Sequence, residues 1–144
     1  MTITDSFGSS DSCTGKVTVK DTTPPSIGSL SVSPNVLWPP NHKMVPVAVT
    51  ASVFDNCDKT PGCRISSVSS NEPGNALGDG NTTPDWEIIG DMLVHLRSER
   101  SGTSTGRAYT ITVECTDASG NSSTEKAVVI IPHDQSSGKK QAKK

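Results

Sequence analysis

The sequence predicts an all-β chain, a sandwich of about seven short strands preceded by an extra hairpin. Three observations carry this. Apolar residues recur with a period of two, most clearly at Tyr109, Ile111, Val113 and Cys115, the pattern of a strand with one buried face. Between such runs lie clusters like Asp117 to Asn121, whose residues favour turns because they tolerate positive φ or bond to nearby backbone. No segment carries a helical repeat of useful length.

In chain order, Ile27, Leu30 and Val32 mark a first sandwich strand, and the turn Val36 to His42 places Trp38 as a plug over one end of the core. Val45, Val47, Val49, Ala51 and Val53 alternate as the second strand. Pro46 lies inside it, which calls for an edge or a bulge there. Cys63, Ile65 and Ser67 face inward on a third strand, Trp86 and Ile88 begin a fourth, and Met92, Val94 and Leu96 give a fifth. The run Gly106–Thr116 and the run Ala127–Ile131 close the domain as a hairpin. Seven short strands in about a hundred residues point to an immunoglobulin-like sandwich.

The closing hairpin has an echo at the N-terminus. Thr4-Asp5-Ser6-Phe7-Gly8 answers Thr116-Asp117-Ala118-Ser119-Gly120, and Val17-Thr18-Val19 answers Val129-Ile130-Ile131 at the same spacing. A fixed offset is the signature of tandem modules. Residues 1–24 therefore read as the closing hairpin of a preceding module followed by a linker that Pro24 and Pro25 stiffen. Residues 25–134 read as the sandwich and 135–144 as a basic, solvated tail. Met1 leads into Thr, Asp and Ser rather than a signal peptide, as expected of a chain that begins inside a module.

Composition narrows the class. The 144 residues are 31% apolar and only 3% aromatic, so the core is thin, and such domains lean on crosslinks or metal ions. A net charge of −2 gives no electrostatic case for nucleic acid, and no apolar run is long enough to span a bilayer. Four cysteines without a Cys-x-x-Cys pair read as disulfides and an oxidising, extracellular or cell-surface location.

Several runs resemble hyalin repeats (the HYR family) and their bacterial relatives: Val17-Thr-Val-Lys-Asp-Thr-Thr-Pro-Pro25, Asp55-Asn-Cys57, and Tyr109-Thr-Ile-Thr112 through Thr116-Asp-Ala-Ser-Gly-Asn121. Leu37-Trp-Pro-Pro-Asn-His-Lys-Met-Val45, Ser70-Asn-Glu-Pro73 and Pro132-His-Asp-Gln135 are similar to runs in bacterial surface and secreted multidomain proteins. The resemblance spans roughly residues 1–135. It implies an extracellular immunoglobulin-like module, usually in tandem, with adhesive or spacing roles and no catalytic residues. Such repeats often carry a cysteine in the last strand; here that region reads Ser123-Thr-Glu-Lys126, and the earlier hairpin has the cysteine as Cys13.

Counting strand directions places the loops. Asp21, Asp55–Asp58 and Asp117–Asn121 fall at the end where the chain enters, here the near end. Trp38–His42, Glu72–Asp85, Glu99–Gly106 and Pro132–Asp134 fall at the far end. Cys63 and Cys115 then meet on neighbouring strands, which leaves Cys13 to pair with Cys57; Cys57–Cys63 is the rival pairing. Asp21, Asp55, Asn56, Asp58, Asp117 and Asn121 gather at the near end. They are hard oxygen donors of the kind calcium takes, six to eight of them at about 2.3–2.6 Å. Asp, Asn and Gly are also simply common in turns. The acidic run Gly78–Asp85 is no EF-hand, since Gly90 stands where a bidentate Glu is required.

Catalytic constellations are missing from the pattern. His42, His95 and His133 lie in separate segments, His42 as part of a turn and His95 on the surface. Lys43 has no isopeptide partner at a telling spacing. Glu72, Asp79, Asp85 and Glu99 are expected to form a surface network with Arg97, Arg100 and Arg107. The expected function is that of a non-enzymatic module of an extracellular surface or filament protein. Its partners would be copies of itself or neighbouring modules, joined head to tail through the N-terminal strand. The alternative is a carbohydrate-binding module using the far-end loops with Trp38 or Trp86.

Overall fold

In the computed structural model, which describes residues 1–74 and 82–134, every regular element is a strand and no helix occurs among the described residues. A short hairpin pairs β1 (Thr2–Thr4) with β2 (Ser10–Ser12). The sandwich follows as β3 (Ser26–Ser33), β4 (Met44–Phe54), β5 (Gly62–Ser70), β6 (Trp86–Gly90), β7 (Leu93–Arg97), β8 (Gly106–Thr116) and β9 (Ser122–Pro132). One antiparallel sheet runs β3-β4-β7-β6 and the other β5-β8-β9. Asp79 and the rest of 75–81, like the tail 135–144, lie outside the described residues.

The core forms between these sheets. β8 alternates without a break, burying Arg107, Tyr109, Ile111, Val113 and Cys115, and β9 adds Ala127, Val129 and Ile131. From the other sheet come Val47, Val49, Val94 and Leu96. Two bulges reset the alternation. In β3 the register shifts between Ile27 and Ser29, so that Ile27, Leu30 and Val32 all pack inward despite their uneven spacing. In β5 the shift between Ile65 and Ser67 brings Val68 inside and leaves Ser67 exposed, contrary to the expectation from strict alternation. Pro46 lies in a part of β4 that pairs only with β7, because β3 ends opposite Ala48. The strand is locally an edge there, where a residue without N–H is tolerated.

Leu37, not Trp38, plugs the far end. The Leu37 N–H donates to Ile130 O (2.9 Å) and the Ile130 N–H to Asn35 O (3.0 Å), a parallel bridge across Val36 and Ile130. That pairing turns Leu37 inward, 1% exposed, and its neighbour Trp38 outward, 43% exposed.

The N-terminal hairpin is shorter than expected. Val17 and Val19 belong to no strand and are exposed. Its tip nevertheless reproduces the β8–β9 turn bond for bond. The Asp5 N–H reaches Ser9 O at 2.8 Å where Asp117 reaches Asn121 O at 3.0 Å, and Gly8 reaches Asp5 O at 3.2 Å as Gly120 reaches Asp117 O at 3.2 Å. Asp5 Oδ1 accepts from the amides of Phe7 and Ser9, as Asp117 Oδ1 does from Ser119 and Asn121. Gly8 and Gly120 take φ of 84° and 88°, a region open to glycine without steric cost.

Candidate functional site

Two polar clusters sit at opposite ends of the sandwich. At the near end, carboxylate oxygens of Asp21, Asp55 and Asp117 lie within 4.8 Å of one another. They arrive from three separate segments: the linker before β3, the loop after β4 and the turn after β8. Asp55 and Asp117 are buried. Local chain chemistry fixes both. Asp55 Oδ1 accepts from the amides of Cys57 and Asp58, each at 2.8 Å, and Asp117 folds its own turn as described above. The Asn121 amide group donates to Asp117 Oδ2 at 2.8 Å and to Asp21 O at 3.4 Å, which ties the linker to the turn.

The other near-end residues divide. Asp58 is a bracket between loops, accepting from the amides of Thr60 and Ala118 at 2.9 Å each. Asn56 is exposed. Cys63 and Cys115 are joined, Cα atoms 4.0 Å apart, as directly opposed residues of β5 and β8. Cys13 and Cys57, expected to pair, are instead free, exposed thiols, and residues 1–20 are exposed throughout. Partial desolvation and the charges of Asp21 and Asp55 push the Cys57 thiol up. Burial acts to raise the Asp117 carboxyl, but hydrogen bonds from Asn121, Ser119 and Gly120 outweigh it and hold the carboxyl below its ordinary value.

The far-end cluster centres on Arg107, 1% exposed. Its guanidinium meets Glu72 at 3.2 Å, Asp85 at 3.1 Å, Glu99 at 3.4 Å and the Tyr109 hydroxyl at 3.0 Å. The expected surface network is therefore an interior one, with Arg107 as its cation. Arg97 and Arg100 bond carbonyl oxygens instead, Arg97 those of Pro84 and His42, Arg100 those of Ser101 and His133. His42 sits at φ 62°, its Nδ1 3.1 Å from Glu99 Oε2, and Thr82 donates to the same oxygen at 2.6 Å. Ser104 and the Ser101 amide hold Glu72. Tyr109 donates to Arg97 O at 3.0 Å and packs edge-on against Trp86. Burial, more than any charge, pushes the Tyr109 hydroxyl up to about 12.

Burial also acts to raise Glu72, but the Ser104 hydroxyl, the Ser101 amide and Arg107 together bring it below its ordinary value. Carboxyls depressed in this way, Glu72 and Asp117, stabilise the fold while ionised. Their contribution is complete above the unfolded carboxylate range of about pH 4 and is lost as the pH falls through their lowered folded values. The melting temperature is expected to stay flat from pH 7 to about 5 and to drop below about pH 4. Glu72→Gln should flatten part of that acid limb. A melting temperature that climbs on acidification would mean that the acids mainly repel one another.

The Cys63–Cys115 bridge points to an oxidising compartment. Among the described residues no helix is long and apolar enough to cross a membrane. Comparison with protein-family models, with curated proteins and with solved structures yields no match.

Proposed function

We propose that the chain is a non-enzymatic, immunoglobulin-like structural module of an extracellular surface or filament protein, made to hold a rigid shape in tandem with others. The supporting fold observation is strand order. Counting from β3, the first, second, fifth and fourth strands share one sheet and the third, sixth and seventh the other, the arrangement of a constant-type immunoglobulin domain. Tyr109, near the start of the sixth strand and bonded back to Arg97 O, stands like the corner tyrosine of those domains. The resemblance to hyalin repeats agrees with this reading.

The observation that carries the tandem reading is the Asp5 turn. The same main-chain and Oδ1 hydrogen bonds and the same glycine conformation recur at Asp5–Ser9 and Asp117–Asn121, which supports reading the N-terminal hairpin as a second copy of the closing one. In this reading residues 14–20, exposed and outside any strand, are the matching last strand and the contact through which copies or neighbouring modules join head to tail. Analytical ultracentrifugation of the full chain against a chain lacking residues 1–20 tests it. Concentration-dependent assembly is expected of the first and a folded monomer of the second. A full chain that stays monomeric at high concentration would remove the joining role.

One observation favours a second reading: Trp38 is exposed in the far-end turn, whereas Trp86 is committed to Tyr109. Glycan-array binding abolished by Trp38→Ala in a folded protein would support a carbohydrate-binding role.

A further inference from the structure

We infer that the near end is a divalent-cation site for calcium that clamps the linker at Asp21 onto the sandwich. Clustered acids alone would not carry this. The second observation is Asp55. It is 8% exposed, both loop amides bond its Oδ1, and its Oδ2 is buried with no hydrogen-bond partner. A buried carboxylate oxygen without a donor costs free energy unless something fills its place. No lysine, arginine or histidine among the described residues makes an ion pair with Asp21, Asp55 or Asp117. Three converging carboxylates with no protein cation beside them are stabilised by a cation from solution.

The donor set and its dimensions choose the ion. The carboxylates, with the Asp21 carbonyl nearby, are hard oxygen donors, which suit calcium or magnesium better than zinc; Asn121 turns its amide nitrogen to them and acts as a tether. Oxygens within 4.8 Å of one another fit a calcium shell, whose opposite ligands stand about 4.6–5.2 Å apart, twice the bond length. A magnesium shell is smaller, about 4.0–4.2 Å across by the same measure, demands near-ideal octahedral geometry and keeps several waters, so it suits ligands from three separate segments less well. Only one of the three ligands, Asp21, is on the linker. The others are fixed by their own turns, so the ion acts by drawing the linker in.

The repeated hairpin provides an internal control. Asp5 makes the same turn as Asp117, but Ser9 replaces Asn121 and no second or third carboxylate joins it in a metal-holding group among the described residues. If the turn alone bound cations, both aspartates would matter; the clamp requires only Asp117 to matter.

The test is titration calorimetry of chelator-treated full chain with calcium chloride, magnesium chloride and zinc chloride in turn, alongside limited proteolysis of the linker. One calcium ion is expected per chain, in the range of about 10⁻⁴–10⁻³ M usual for extracellular modules. Asp21→Asn and Asp55→Asn should each weaken it by about tenfold or more, and Asp5→Asn should leave it unchanged. Asparagine keeps an Oδ1 for the loop amides at position 55, so folding should survive. Cleavage between residues 13 and 23 should slow severalfold with calcium in the native chain and not in Asp55→Asn. No calcium-dependent heat and no protection would overturn the site. So would binding of zinc alone that is lost in Cys57→Ser, which would make it a thiolate site. Neither result depends on whether copies associate, so failure here is distinct from failure of the tandem reading.

Discussion

Arg107→Met should lower stability by roughly 3–5 kcal/mol, the usual effect of removing one partner from a buried ionic cluster. That is a large part of the roughly 5–15 kcal/mol that holds a domain folded, and corresponds to a drop of roughly 10–20 °C in melting temperature. Methionine fills much of the same volume, so the loss comes from charge. Glu72, Asp85 and Glu99 would face one another inside the far end without their cation, and Tyr109 would lose a donor. Adding Glu72→Gln and Glu99→Gln to the variant should recover part of the loss, because the stranded charges cause it. A single Arg107→Met that unfolds within about 1 kcal/mol of the native chain would show that water already solvates the cluster.

Replacing Cys63 and Cys115 together with serine should cost about 2–5 kcal/mol. The bridge joins residues 52 apart in sequence, and the chain-entropy estimate for a loop of that size is about 4 kcal/mol. The thin core makes the loss severe: its aromatic content is 3%, and only Tyr109 among the aromatics is fully buried. Reduction of the native chain should lower the melting temperature as far as the double substitution does. If thermal unfolding hardly moves in either case, β5 and β8 are held by their ladder alone and the crosslink adds nothing.

Much of the strand plan was legible because period-two alternation is a local signal that needs no knowledge of the fold. It failed where a bulge changed the phase. Ser67 sits on the inward phase of an ideal strand, but the extra residue after Ile65 turns Val68 inward in its place. The turn sequence points to Trp38 as the plug; backbone pairing at Val36 and Ile130 selects Leu37 instead. The buried Arg107 could have been found. It lies two residues before Tyr109, on the inward phase of the clearest strand in the sequence, and an inward arginine demands acids at that end. At the near end, loop counting brought Asp21, Asp55 and Asp117 together, since strand direction alone fixes which turns share an end. It could not separate Asp58 from them, because that depends on which way the side chain leaves its turn, here toward the amides of Thr60 and Ala118.

The parallel bridge between Val36 and Ile130 has a mechanical consequence. The chain enters at the near end and leaves β9 at the far end, so tension between the two termini pulls β3 and β9 in opposite directions along their own axes. The bonds from Leu37 to Ile130 and from Ile130 to Asn35 are then loaded in shear and share the force instead of opening one at a time. If they yield, the Cys63–Cys115 bridge still keeps 52 residues of separation from paying out, about 180 Å of chain at roughly 3.3–3.6 Å per residue. Under load, only the segments outside the bridge, β3, β4 and β9, would be free to lengthen the module, and the loop from Cys63 to Cys115 would stay closed.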